Sequence, residues 1–474
     1  MKKMAYKKTV SIINETAVQI YENLVGKTNK GFLLESYDKN YDRYVIMGKS
    51  PEAYICSRAD EALVVTYQDG SSEELPGNPM ESLKRFYSRY EVERPDGDLA
   101  FTGGLVGALG YDFVKYSETL PDRNPDDIGI ETIQMMLVTD FIIMDHVAET
   151  LTAVSVEEIS EAGKGRAAQK LEMLLEAAFA NKEGASAAEA SDTVRDGVVI
   201  KKSDTLPQYC EKVEKIKHYI REGHIFQTVL SQRWTIETNR DGLELYKELR
   251  ELNPSPYLYY MNYGHFEIIG SSPEMLVKQK GEQVFTCPIA GTRPRGGSAE
   301  EDVRLKKELL ADEKECAEHV MLVDLARNDM GRIAQLGTVK VTDFMKIREY
   351  SHVMHIVSMV EGRKKGSFHP VDLINSFLPA GTLSGAPKIR AMEIIDELET
   401  VKRGLYGGAI GYIDFNGNMD FCITIRTMVK KGRQVYLQAG AGIVADSVPE
   451  TEYAECCNKV RALAKVLVPD AKRL

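Results

Sequence analysis

Basic residues are in deficit in this 474-residue chain. Lys and Arg number 60 against 71 Asp and Glu, giving a formal net charge of -11. A surface of that sign excludes nucleic acid as the main partner, because phosphate binding needs a basic face. Long apolar runs are missing too. No window approaches the roughly 18 uncharged apolar residues that a membrane span needs. The first residues, MKKMAYKKTVSIINET, carry lysines without an apolar stretch behind them. No secretory signal is expected, and the expected location is the cytoplasm. The seven cysteines are mostly scattered, and none forms a C-x-x-C pair. That excludes a disulfide frame and a cysteine zinc site. Cys422 has the pattern of a strand residue rather than of a nucleophile with an adjacent base. Two phosphate motifs are absent as well. GGLVGALGY (103–111) has glycines at the wrong spacing for a dinucleotide loop, and GTLSGAPK (381–388) lacks the G-K-[ST] of a phosphate loop.

The length alone suggests about three domains. GGLVGALGY reads as a glycine-rich strand where backbones approach closely. Thr132–Asp145 reads as one buried strand, and about 164–180 as a helix. Asn181–Ser191 (NKEGASAAEAS) has nothing to bury and reads as a linker. Beyond it, Val213, Ile216 and Ile220 predict a helix stopped by Gly223, and Ile225–Trp234 a strand. One helix is expected over Asp302–Ile333 and another through Ile389, Met392, Ile395 and Leu398. Phe421, Ile423 and Ile425 alternate with Cys422, Thr424 and Arg426, the pattern of a half-buried strand. Val435–Val444 is a second strand whose Gly440 and Gly442 leave one face bare, and Glu452–Val466 is the last helix. Strands and helices do not alternate regularly, so the expected class is α+β.

Glu315 and Glu318 share a helix face at i, i+3, and so do Glu452 and Glu455. Two such pairs facing each other would hold a hard cation such as Mg²⁺. Taken singly, each is equally a solvated acidic face, and Lys459 permits a surface ion-pair network. GTLSGAPK is either an anion-binding turn or an ordinary helix start. Arg426 could clamp a carboxylate from its strand or lie exposed. His355, inside the apolar run 353–359, is a base or a satisfied core histidine.

Long segments in one order add a further observation. They include GHIFQTVLSQRW (223–234), NPSPYLYYM (253–261), SSPE (271–274), PIAGTRPRG (288–296) and EHVMLVDLARNDMGRI (318–333). MHIVS (354–358), LPAGTLSGAPK (378–388), YGGAIGYIDFNGNMDFCITIRT (406–427) and QAGAGIVADSVPETEYAE (438–455) follow. Together they resemble the chorismate-utilising enzymes, above all the large subunits of the branch that forms anthranilate. The resemblance spans about 205–465 and extends more weakly to FLLES (32–36) and GGLVGALGYD (103–112).

That resemblance implies an α+β fold with large antiparallel sheets flanked by helices. It divides the chain into a regulatory part, 1–195, and a catalytic part, 196–474, packed as one unit. It implies that Glu318 and Glu455 bind Mg²⁺, with Glu315 and Glu452 behind them. Arg426, Tyr406, Gly440, Ala441, Gly442, Thr382 and Lys459 match positions around the substrate carboxylates. Ala290, Gly291 and Thr292 fall beside the ring. Glu274 matches the acid that protonates the departing 4-hydroxyl, so its burial and a raised pKa are expected. His355 matches the base that takes the C2 proton. Glu35, Ser36, Pro256, Tyr257 and Leu258 match a tryptophan feedback pocket, with Leu258 where methionine is usual.

Two further absences sort the members of this family. Relatives that make aminodeoxychorismate commonly carry a nucleophilic lysine where this chain has Ala290. Relatives that make isochorismate or salicylate carry a lysine base at the position of Gln227. Neither residue here can attack C2 or deprotonate water, so ammonia is the expected nucleophile. Three alternatives stand beside this: an aminodeoxychorismate synthase component, disfavoured by Ala290; aminodeoxyisochorismate formation, which these positions leave open; and a catalytically dead tryptophan-binding regulator, disfavoured by the presence of Glu274, His355, Arg426 and the four glutamates. No G-x-C-x-G turn with a later histidine pair is present, so a separate glutaminase subunit is the expected ammonia source.

Overall fold

The computed structural model describes residues 2–26, 30–36, 43–59, 61–94, 99–180, 200–350, 353–366 and 368–468. Its framework is a pair of large sheets. The first has 13 strands and the second 12 among the described residues. Among the described residues every pairing is antiparallel except that of Lys3–Ser11 with Val92–Glu93. The two halves of the chain continue each other's sheets. Tyr257–Asn262 pairs with Gly31–Glu35 in the first sheet, and Ala409–Asp414 with Gly104–Leu109 in the second.

Strand periodicity explains the layers. Phe32, Phe141, Tyr259 and Ile268 of the first sheet pack with Leu105, Val106, Val277 and Phe421 of the second in one core. Their neighbours Leu33, Ile142, Leu258 and Ile269 point the other way. That outer face is covered by the helices Ala17–Val25, Glu161–Phe179, Leu206–Arg221, Gly242–Leu252, Lys388–Leu398 and Pro449–Ala464. Trp234, the only tryptophan, is fully buried in this second core. The class is α+β.

Several expected elements are divided. Thr132–Asp145 is two strands, Ile133–Val138 in the second sheet and Asp140–Asp145 in the first, with Thr139 at the crossing. The helix expected over 302–333 is also two, Ala299–Ala311 and Glu313–Ile333. Asp312 separates them in an extended conformation, and its carboxylate caps the N–H groups of Lys314 and Glu315. The strand expected through Arg426 ends at Ile423 and is buried on both faces, because it lies inside the second sheet. Cys422 is a packed residue of that strand, and burial raises its thiol pKa. The helices carrying Val213 and Ile389, and the strands at 227–237 and 434–443, form as expected. The expected linker at 181–191 lies outside the described residues.

Candidate active site

Two adjacent strand pairs change sheets at the same place. The chain leaves the first sheet at Ser272 and enters the second at Met275, with Pro273 and Glu274 between. It returns from Ile423 to Thr427 through Thr424, Ile425 and Arg426. The crossings are bonded to each other. Ile423 N–H donates to the Glu274 carbonyl at 3.0 Å, and Ser271 N–H to the Arg426 carbonyl at 3.1 Å. Arg426 has φ 51°, a left-handed conformation that non-glycine residues adopt at some cost. Its side chain is therefore aimed by a kink, not by strand alternation.

A cavity of about 220 Å³ opens at these crossings. Of the expected site residues, Glu274, Ala290, Glu318, Thr382, Tyr406, Arg426, Gly440, Gly442, Glu455 and Lys459 line it. Glu274 is buried, and loss of hydration pushes its pKa up to about 8. Thr382 donates a hydrogen bond to Glu274 Oε1 at 3.2 Å, which with the charge of Lys459 pulls the other way. The result is a carboxyl group that keeps its proton at neutral pH. The expected burial and raised pKa of Glu274 agree with the structure.

Arg426 and Lys459 supply the positive wall. Burial lowers the Arg426 pKa from its ordinary value, yet arginine remains charged. Arg426 Nη1 reaches the Lys459 carbonyl at 3.5 Å. Lys459 Nζ pairs with Glu455 at 2.6 Å and donates to the Gly440 carbonyl at 2.9 Å. A Cβ on Gly440 would lie 2.8 Å from Val229 Cγ1 and 3.1 Å from the Tyr406 hydroxyl. One on Gly442 would lie 2.5 Å from Gln227 Nε2. The bare strand face thus brings backbone up to the cavity. Ala441, between the two glycines, packs into the helix-covered core instead.

The four glutamates come from two helices: Glu315 and Glu452 lie in the first turns, where the helix dipole favours negative charge, and Glu318 and Glu455 one turn further along the same faces. Glu318 and Glu455 line the cavity. Burial raises the Glu318 pKa, and the charges of Glu315 and Glu455 raise it further. Glu452 is buried and also raised, chiefly by burial, with Glu455 contributing. Mutual repulsion of this kind is relieved by a cation, so the donor set fits a hard divalent ion. Among the described residues no three Asp, Glu, His or Cys side chains converge as a closed metal cage. Such an ion would therefore take part of its shell from water or substrate. Glu315 also meets Arg293 at 3.5 Å.

His355, Gly291 and Thr292 stand beside this lining. His355 Nδ1 lies 3.0 Å from both the Gly291 carbonyl and Thr292 Oγ1. Donation from Nδ1 to the carbonyl makes Nε2 the basic nitrogen. Burial lowers the ring's pKa, so the imidazole is neutral at pH 7.

The remaining expected group is elsewhere, on the first sheet. Glu35 pairs in register with Leu258. The Glu35 carboxylate is buried and accepts from the Tyr246 hydroxyl and from Arg250 Nε. Ser36 and Pro256 are buried close by in sequence, and the Tyr257 hydroxyl donates to Asp420 at 2.9 Å. Residues missed by sequence reasoning include Val229, Leu383, Gln438 and Leu463, which line the cavity. Gln438 was foreseeable, since it lies on the face of Gly440 and Gly442.

This chain belongs to the chorismate binding enzyme family, whose pattern it matches over residues 29–465. Within the family it is similar to anthranilate synthase component 1 of Acetivibrio thermocellus, at 45% identity over 462 residues, or 96% of this chain and 93% of that protein. The counterpart from Pseudomonas aeruginosa is 42% identical over 469 residues, covering 96% and 93%. The solved structure of anthranilate synthase component I from Streptococcus pneumoniae TIGR4 superposes with a TM-score of 0.79 at 37% identity, covering 89% of this chain and 92% of that one. The menaquinone-specific isochorismate synthase MenF of Escherichia coli shares the fold, with a TM-score of 0.71 at 18% identity over 98% and 94% of the chains.

Proposed function

We propose that this chain is the synthase subunit of an anthranilate synthase, converting chorismate and ammonia to anthranilate and pyruvate. The observation that carries the reading is a buried, protonated Glu274 facing Arg426 and Lys459 across one cavity. A dianion needs cations, and a hydroxide leaving group needs an acid; the cavity has both.

Arg426, Tyr406 and Lys459, with the bare backbone at Gly440 and Gly442, orient the carboxylates. Glu274 gives its proton to the 4-hydroxyl as ammonia adds at C2. His355 accepts the C2 proton through Nε2, pyruvate leaves, and aromaticity drives the step. Glu318 and Glu455 would hold Mg²⁺, with Glu315 and Glu452 supporting them. When bound, Mg²⁺ neutralises a substrate carboxylate and fixes its orientation. Ala290 and Gln227 support ammonia, rather than a lysine or an activated water, as the nucleophile.

The relatives' designation as component 1 supports a partner subunit, read here as a glutaminase that supplies ammonia. Tryptophan is the proposed inhibitor, with Glu35, Ser36, Pro256, Tyr257 and Leu258 forming its site. No helix among the described residues is long and apolar enough to cross a membrane. A cytoplasmic location is part of the proposal.

Purified chain with chorismate, Mg²⁺ and excess ammonium, at a pH kept below the Glu274 pKa of about 8, tests the reading. Blue-fluorescent anthranilate and pyruvate are expected. A non-aromatic aminated product without pyruvate, or no turnover, would overturn it. Glutamine without a partner should give nothing.

A further inference from the structure

Val229, Leu383, Tyr406 and Gln438 are separate pieces of the cavity wall, yet all connect to one ion pair behind it. Glu399 and Arg403 are 6% and 3% exposed. Arg403 Nε and Nη2 donate to the two oxygens of Glu399 at 2.9 and 2.6 Å. Its other donors go to main chain: Nη1 to the Leu383 carbonyl at 2.6 Å, Nη2 to the Val229 carbonyl at 2.8 Å. Glu399 Oε1 also accepts from the Ser231 N–H and hydroxyl at 2.9 and 2.8 Å. Gln438 donates to that hydroxyl at 2.8 Å. The guanidinium lies 4.6 Å from the Tyr111 ring centre and 5.7 Å from that of Tyr406.

A buried ion pair is a weak device for stability, since apolar residues of equal volume often serve as well. What a planar fork does better is fix several acceptors at once. Leu383 follows Thr382, whose hydroxyl is on Glu274 Oε1. The turn Gly381–Leu383 has no side-chain cap of its own, so the Arg403 bond is an external hold on it.

We propose that Arg403, oriented by Glu399, is a positioning residue that anchors the Leu383 carbonyl and so keeps the Thr382 hydroxyl on Glu274 Oε1. Oε2 is thereby left to carry the proton that goes to the substrate. The proposal rests on Glu274 being the acid of the proposed reaction. Lysine at 403 keeps the charge but cannot span Glu399, Leu383 and Val229 together.

The test compares Arg403→Lys, Thr382→Ala and the double variant in the chorismate, Mg²⁺ and ammonium assay, with thermal melts on each. Arg403→Lys is expected to melt cooperatively and to lose about tenfold to a hundredfold in kcat, the loss expected of a misplaced catalytic group. The double variant should fall within about twofold of the worse single variant, because both changes break the same bond. Wild-type kcat in Arg403→Lys, or losses that multiply in the double variant, would overturn the proposal. Should Arg403→Lys fail to fold, Glu399→Gln keeps the shape of the site and undergoes the same cycle with the same expectations. Glu274→Gln serves as the control. Its full activity would overturn the acid assignment itself, a failure distinct from an uncoupled Arg403.

Discussion

Glu274 and Arg426 occupy the two neighbouring points where the chain passes from one sheet to the other, and backbone bonds tie those crossings together. The proposed proton donor and the proposed carboxylate clamp are thus fixed by main chain within one layer of the core. Neither depends on a surface loop for its position. The consequences below follow from that arrangement and from the charges around it.

Glu274→Gln removes the proton donor while keeping shape, and activity should fall by about 10²–10⁴-fold, the range for general acid catalysis. In the wild type, kcat should decline as pH rises through about 8, where the carboxyl ionises. Stability should respond as well. The folded pKa is raised above the ordinary 4.5. The associated stability is complete below about pH 4.5 and lost as pH rises through about 8. Thermal melts at pH 5, 6.5 and 8 should show the wild type losing ground to Glu274→Gln. Parallel curves would contradict the raised pKa.

The long elements were legible because their patterns are local. Val213, Ile216 and Ile220 mark a helix by spacing alone, and Gly223 ends it in a left-handed conformation. What period-2 patterning cannot show is a change of sheet. Ile133–Val138 and the FIIM core of Asp140–Asp145 are both apolar on either side of Thr139, since both strands are buried on both faces. The same blindness placed Arg426 on a strand, although its positive φ is what aims it. The site residues were legible for another reason: they lie in long segments held in common with a family. Arg403 was passed over because a buried arginine is indistinguishable in sequence from an exposed one.

The glutamate pair should report a cation directly. Glu318→Gln and Glu455→Gln each remove one carboxylate from the cavity. Mg²⁺ titration calorimetry should show affinity lowered by about tenfold or more in each, on the scale of losing one ligand charge. Added Mg²⁺ should restore activity poorly. Glu455→Gln also removes the ion pair of Lys459, leaving its bond to the Gly440 carbonyl, so its KM for chorismate is the more sensitive of the two. Wild-type Mg²⁺ binding and activity in either variant would remove that residue from the metal site.

Gly440→Ala tests the bare face. The new methyl would meet Val229 Cγ1 at 2.8 Å, the Leu230 carbonyl at 3.0 Å and the Tyr406 hydroxyl at 3.1 Å. Overpacking of this kind costs about 1–3 kcal/mol. Val229 must shift and the Tyr406 hydroxyl must give a little, and both side chains belong to the cavity lining. KM for chorismate should rise by about tenfold while the protein stays folded, as judged by its melt. An unchanged KM would mean that Tyr406 and Gly440 do not touch the substrate.

Feedback should depend on the neighbouring strand of the first sheet, where Tyr257 and Leu258 pair in register with Ser272 and Ser271 just before the crossing at Glu274. In the proposed site the buried Glu35 carboxylate, held by Arg250 and Tyr246, would receive the ammonium group of the amino acid. Ser36 is buried, so a phenyl ring there would compete for the space of the proposed pocket. Tryptophan should inhibit the wild type, and Ser36→Phe should relieve that inhibition with kcat little changed, because the catalytic cavity includes none of these residues. Inhibition curves at fixed chorismate decide it. An unaltered half-inhibiting concentration in Ser36→Phe would move the tryptophan site elsewhere.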